Sequence, residues 1–239
     1  MSIGQDIADG FDVALSTSER ILSDVLRSNE SAWVGWTSDK PVPVIEYEKF
    51  DYYSHLAEVL INSCYNSVLN GSIAIPVVGA YPAVPTGTYT SVAPAVCTWS
   101  GNTVVQDHID AVVSELAKMV PALGSEQSPT ALLDFSAVIS NEIHTMVTSG
   151  ELSANGVIGT FVFPNGSSVV SIDVSGSLSG SAELLTGSVF QALSLADNDA
   201  VGQALGLAFI TYCASLAGNV SGSSDASACV GVGAGFIVA

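Results

Sequence analysis

Three apolar segments with helical periodicity each end at a glycine, and extended chain follows each of them. The glycines are Gly71, Gly150 and Gly218. A glycine directly after the last periodic residue is a usual helix stop. The pattern suits stacked helix-plus-strand units, each of which buries one face against its neighbours. Ordinary alternation of helices and strands in an α+β domain accounts for the same pattern, so both interpretations stay open.

The clearest strand signal lies in the second half of the chain. Val157–Phe163 and Ser168–Val174 alternate apolar and polar residues, and Pro164-Asn165-Gly166 separates them. Asn-Gly between alternating runs favours a β-hairpin. The serine- and glycine-rich stretch Ser175–Gly180 that follows is interpreted as a hinge or linker.

The remaining extended segments are short. SIAIPVVGAYPAVP, from Ser72 to Pro85, contains three prolines. Proline cannot donate to a strand ladder, so this segment is expected to be a short strand and an irregular stretch at a sheet edge. The apolar end of the chain, Ala228–Ala239, is interpreted as a strand. We therefore expect an α+β fold that is mainly helical, with short antiparallel strands or hairpins.

Three regions follow from these breaks. Residues 1–100 form an N-terminal helical region with the proline-rich extended segment. Residues 101–180 form a pair of helices with the hairpin, and residues 181–239 form C-terminal helices with the apolar strand.

Charge is scarce and one-sided. The chain is 48% hydrophobic and 12% charged, with 5 Lys+Arg against 23 Asp+Glu and a net charge of −18. No lysine or arginine follows Lys118. Nucleic-acid affinity depends on basic side chains that neutralise phosphates, so sequence-specific nucleic-acid binding is not expected. A large surface with few charges is easier to explain when part of it is buried in an assembly.

Membrane insertion and export are not expected either. Met1–Gly10 lacks the basic and apolar regions of a signal peptide. Ala200–Ala217 is uncharged, but it contains two glycines and has no basic flank, so it is interpreted as a buried helix. Cys64 and Cys213 are expected to be reduced core residues. Spacing leaves open whether Cys97 and Cys229 form a disulfide.

No motif specifies a chemistry. His108 is expected on a solvated helix face, His144 faces away from Glu142, and His55 is expected to pack among aromatic residues. The glycines near the end of the chain precede no helix, so they form no phosphate-binding loop. No cofactor, metal or catalytic residue is therefore predicted.

A small set of aromatic residues is the candidate interface, because tryptophan and tyrosine are enriched at protein contacts. The set comprises Trp33, Trp36, Tyr52, Tyr53 and Phe236. The alternative is that those near the first two helices cover the core between them.

In overall character the chain resembles virion structural proteins of tailed bacteriophages, such as neck, tail or baseplate components. The resemblance rests on the start at Met1–Gly4, the acidic balance, and Ala/Ser/Val helices that end on glycine before short strands. These helix-to-strand segments are Leu69–Ile75, Met146–Val162 and Leu216–Val232. The resemblance implies a non-catalytic subunit that assembles with its own copies and other structural proteins, in a virion built in the host cytoplasm.

Two other functions stay open. An exported surface or filament protein would suit the Ser/Thr/Gly content and the scarcity of lysine. A hydrolase would need a serine, a histidine and an aspartate that converge only in space.

Overall fold

In the computed structural model, helices precede each of three β-hairpins. The structure describes residues 3–7, 9, 49–69, 71–81, 87–123, 129–195, 198–224 and 227–238. The helices are α1 (residues 3–7 and 9 as described), α2 (Lys49–Leu69), α3 (Val105–Leu123), α4 (Pro129–Ser149), α5 (Glu183–Leu193) and α6 (Asn198–Ser215). The strands are β1 (Ser72–Ile75), β2 (Val77–Tyr81), β3 (Gly87–Ser91), β4 (Ala95–Ser100), β5 (Glu151–Phe163), β6 (Gly166–Ser179), β7 (Ala217–Ser224) and β8 (Ser227–Ala234).

The strands close into a barrel. Strands β2, β3, β5, β6, β7 and β8 pair in a ring in which every neighbouring pair is antiparallel. Strands β1 and β4 pair with each other, and β4 also pairs with the start of β5. The expectation of a mainly helical fold with short hairpins is therefore wrong. Closure depends on pairings such as β3 with β5, which join residues about 70 positions apart and leave no local signature.

All three hairpins enter the barrel from the same end. Helix α2 is followed by β1 and then β2, helix α4 by β5, and helix α6 by β7. Because every ring pair is antiparallel, these strands run in one direction and their turns lie together at the opposite end. The helices therefore lie at one end of the barrel, and the other end carries the three turns.

The barrel interior combines large side chains with glycines. The Tyr89 ring occupies the space above Gly159, where an added Cβ would lie 2.2 Å from ring atoms. The Tyr89 hydroxyl donates to the carbonyl oxygen of Val157 at 3.0 Å. Outside the ring of strands, Trp99 on β4 fills the space beside Gly150 in the same way, and its indole N–H donates to the carbonyl oxygen of Val147 at the end of α4, at 2.9 Å. Small barrels are filled by side chains, and alternation of large and small residues allows this.

The helices bury their apolar faces against one another and against the near end of the barrel. The core residues include Ile61 on α2, Ile139 and Met146 on α4, and Phe209 and Tyr212 on α6. None of the helices in the described part of the chain is long and apolar enough to cross a membrane.

Two local expectations are wrong. Ser175–Gly180 is not a linker, since residues 175–179 belong to β6 and pair with β7. Leu178 points into the core, and Ser175, Ser177 and Ser179 are exposed. The stretch expected to be irregular is instead the strand β2, which has β3 on one side and β8 on the other, whereas the short strand β1 lies at the end of the strand order, as expected. Pro76 lies in the gap between β1 and β2, where no ladder donor is required.

The predicted region boundaries fall between elements. The first lies between β4 and α3, and the second lies between β6 and α5. Hairpins from all three regions nevertheless belong to the same closed barrel.

Candidate assembly surface on the barrel

The outer face of the barrel is almost free of charge. The eight strands together contain two charged side chains, Glu151 and Asp173. Glu151 is the first residue of β5, beside the helices. Asp173 accepts a hydrogen bond from the backbone N–H of Gly156 at 2.8 Å, at an irregularity in the β5–β6 ladder. Between these positions and the turns, the strands present no charged side chain.

Near the turns, two rows of outward-facing residues run from strand to strand across the barrel. Strand pairings place the members of each row opposite one another, and most are exposed. The first row comprises Val169, Thr160, Thr90, Val78, Val230 and Ser221. The second comprises Ser167, Val162, Thr88, Ala80, Ala228 and Ser223. These two rows, with Ile158 and Val232 beside them, are termed the outer barrel surface.

Large apolar side chains lie exposed on this surface. The exposed fractions are 51% for Val78, 55% for Val230, 64% for Val232 and 72% for Val169. Antiparallel strands with one solvated face normally alternate apolar residues inward and polar residues outward. Here β2 and β8 carry apolar residues on both faces, a pattern typical of strands that are covered on both sides.

Of the five residues expected at the interface, Phe236 is the one whose side chain the structure describes, and it does not belong to this surface. Phe236 is 1% exposed and fills the space beside Gly71 in the core. Tyr52 and Tyr53 lie in α2, but their side chains are outside the described part of the chain. Trp33 and Trp36 lie outside the described residues altogether. The sequence signal for the outer barrel surface is the set Val78, Val230 and Val232, which lie at outward positions of β2 and β8.

His108 and His144 each join two helices through a side-chain contact. His108 is 6% exposed, and its Nδ1 lies 2.6 Å from Oε1 of Glu142, so α3 and α4 are joined by a partly buried pair. The expectation of a solvated face for His108 is therefore wrong. Residues 34 apart in sequence form this pair, so helical spacing alone could not reveal it. The side chain of His55 lies outside the described part of the chain.

His144 joins α4 to α6. Its Nδ1 lies 2.7 Å from the Tyr212 hydroxyl, and the two rings meet edge to face. Burial raises the pKa of Tyr212 and lowers the pKa of His144. Tyrosine therefore stays protonated and donates to neutral Nδ1, which leaves the histidine proton on Nε2.

A groove lies beside His144. It is lined by Asn141 and His144 of α4, by residues 180–182, and by Glu183 and Thr186 of α5. A triad needs a carboxylate on the histidine nitrogen that does not face the serine, whereas His144 has a tyrosine on Nδ1. Within the described ranges, no group of three or more His, Cys, Asp or Glu side chains is arranged to hold a metal ion.

The four cysteines are free thiols and all are buried. Cys97 lies on β4 and Cys229 on β8, and these strands do not pair. Burial raises the pKa of every one of these thiols, which keeps them in the unreactive protonated form.

Comparison of the chain with protein-family models, with curated proteins and with solved structures found no match.

Proposed function

We propose that this chain is a non-catalytic structural subunit of a homo-oligomeric particle, and that the outer barrel surface is covered by further copies of the chain. The proposal extends to a virion of the tailed-bacteriophage kind, assembled in the host cytoplasm, as the resemblance implies. The observation that carries it is the uncharged row in which Val78 and Val230 are opposed and exposed.

Electrostatics favours a second copy as the occupant. Each copy carries a net charge of −18, so two copies repel wherever their carboxylates meet. The outer barrel surface avoids this repulsion, because it contains valine, threonine, serine and alanine with one isoleucine. A strongly basic or acidic partner would gain no charge pairing on this surface.

Burial of the exposed valines would supply the favourable free energy of association. Exposed apolar area gains roughly 25 cal/mol per Å² when it leaves water. Threonine and serine at the remaining positions keep the isolated chain soluble, and they can form hydrogen bonds across a contact. Catalysis does not enter the proposal, since the two described histidines are engaged between helices.

Cross-linking through a single introduced cysteine tests the proposal. The native thiols are all buried, so Val230→Cys would supply the reactive thiol. We expect a short bismaleimide to join Val230→Cys chains into covalent dimers at micromolar concentration. The matched control is Ser114→Cys on the exposed face of α3, which should give no dimer above the wild-type background. Equal cross-linking of the two variants would overturn the proposed contact.

A further inference from the structure

A second apolar surface lies between α5 and α6, away from the barrel strands. A groove of about 340 Å³ runs between the two helices. Its lining residues are Ser188, Gln191, Ala192, Leu195, Ala204, Leu207, Ala208 and Thr211. Leu207 is 65% exposed and Leu195 is 46% exposed.

The spacing of these residues is that of a helix-packing face. On α5 the lining residues are Ser188, Gln191 and Ala192, with Leu195 two residues past the end of the helix, and on α6 steps of three and four residues run from Ala204 to Thr211. Such steps place side chains along one side of a helix. The face of α5 and α6 therefore has the form of half of a helix–helix contact.

The face contains both protruding and recessed positions. Leu195 and Leu207 project, whereas Ala204 and Ala208 on α6 leave recesses between them. A projecting leucine fits a recess formed by small residues on a facing helix. A surface that holds both elements is complementary to itself when it is rotated about a two-fold axis.

The scarcity of charged residues on this face also favours a second copy of the chain as its partner. Helix α5 contains one charged residue, Glu183, at its start, and α6 contains one, Asp199, also at its start. The exposed positions of α3, by contrast, include Asp107, Asp110 and Glu115. In a chain of net charge −18, two copies therefore meet through the α5–α6 face with less repulsion than through the exposed face of α3.

We infer that the α5–α6 face pairs with the α5–α6 face of a second copy in an isologous dimer, in which four helices pack around a two-fold axis. This inference goes beyond the proposed function, because it rests on other residues and gives the assembly a second, different contact. A chain with two unlike contacts forms extended or ring-shaped assemblies from dimeric building blocks.

Sedimentation velocity on separate variants tests the inference. Leu207→Glu places a charge at a projecting position on both copies, so in a chain whose barrel contact is blocked by Val78→Lys/Val230→Lys we expect the dimer dissociation constant to rise by at least about 100-fold. Ser114→Glu on α3 adds the same charge elsewhere and should leave the dissociation constant unchanged. Because Leu207 is exposed, the variant should fold, and its circular dichroism spectrum checks this.

A barrel variant separates this inference from the proposed function. Val78→Lys/Val230→Lys should block the barrel contact and leave a dimer, and Leu207→Glu added to it should give a monomer. If Val78→Lys/Val230→Lys is already monomeric, the α5–α6 dimer is wrong and the barrel contact stands. If it assembles like the wild type while Leu207→Glu lowers the mass, the barrel contact is wrong and the dimer stands.

Leu207→Cys gives an independent check. A residue near a two-fold axis faces its own copy, so oxidation should produce a covalent dimer. Failure of both oxidation and a short cross-linker to join Leu207→Cys chains would overturn the inference, whatever the barrel does.

Discussion

Val78 on β2 and Val230 on β8 lie directly opposite each other on the outside of the barrel, and about half of each residue is exposed to solvent. The neighbouring inward residues, Val77 and Cys229, are apolar as well, and both are buried. Strands that are apolar on both faces lower their free energy when both faces are covered. The inner face is covered by the barrel itself, and we propose that further copies of the chain cover the outer face.

The packing of Tyr89 over Gly159 predicts a large effect of a small substitution. In Gly159→Ala the new methyl would lie 2.2 Å from the tyrosine ring, so ring or strand must shift. We expect the free energy of unfolding to fall by about 1–3 kcal/mol, which is typical of overpacked cores. Urea denaturation measures the change.

The same substitution at Gly187 is the matched control. Gly187 lies inside α5, and an added Cβ there meets no atom within 4 Å. Gly187→Ala should stabilise the protein by about 0.5–1 kcal/mol, because alanine loses less conformational entropy in a helix. The predicted effect of overpacking is wrong if Gly159→Ala has the same free energy of unfolding as Gly187→Ala.

The pair formed by His108 and Glu142 should stabilise the contact between α3 and α4. Glu142→Ala leaves the buried imidazole without its partner, so we expect a loss of about 1–3 kcal/mol. Asp134→Ala removes the same charge from an exposed position on the same helix and should change stability by less than about 0.5 kcal/mol. A double-mutant cycle with His108→Ala that gives no coupling energy would contradict this role.

The environment of His144 makes stability depend on pH. Burial lowers its pKa in the folded state, so the unfolded chain binds this proton more readily. Stability from this group is therefore complete above the unfolded pKa, about 6.5, and decreases as the pH falls below it.

His144→Gln isolates this contribution, because glutamine can still accept a hydrogen bond from Tyr212 but does not titrate. We expect the midpoint of thermal unfolding to fall less between pH 7 and pH 5 in the variant than in the wild type. The prediction is wrong if the two proteins show the same slope in that range.

The thiols should be unreactive until the protein unfolds. All four cysteines are buried, and burial raises the pKa of each, so native protein should not react with a thiol reagent such as DTNB within minutes. In guanidinium chloride all four should react. Fast reaction of Cys97 or Cys229 in native protein would show that the barrel opens at those strands.

Local patterns identified some elements and missed their arrangement. Alternation and Asn165-Gly166 predicted the β5–β6 hairpin, whose last pair is Phe163 with Gly166. These features depend on a few adjacent residues.

The missed features depend on residues that are distant in sequence. Strands β3 and β4 were not predicted, and their pairing with β5 closes the barrel. Ser175–Gly180 was interpreted as a linker because of its composition, although its inward Leu178 and outward serines have the period of a strand. The outer barrel surface can be identified only from the register of the β2–β8 pairing, which places Val78 opposite Val230.

The absolute mass of the purified chain in solution tests the central claim most directly. Light scattering on the wild type should give a multiple of 24.4 kDa that grows with concentration. Val78→Lys/Val230→Lys should give a smaller mass, because it places lysines of neighbouring copies against each other, while Ser114→Lys on α3 should match the wild type. A wild type that stays at 24.4 kDa at high concentration, or a double variant whose mass equals that of the wild type, would contradict assembly through the outer barrel surface.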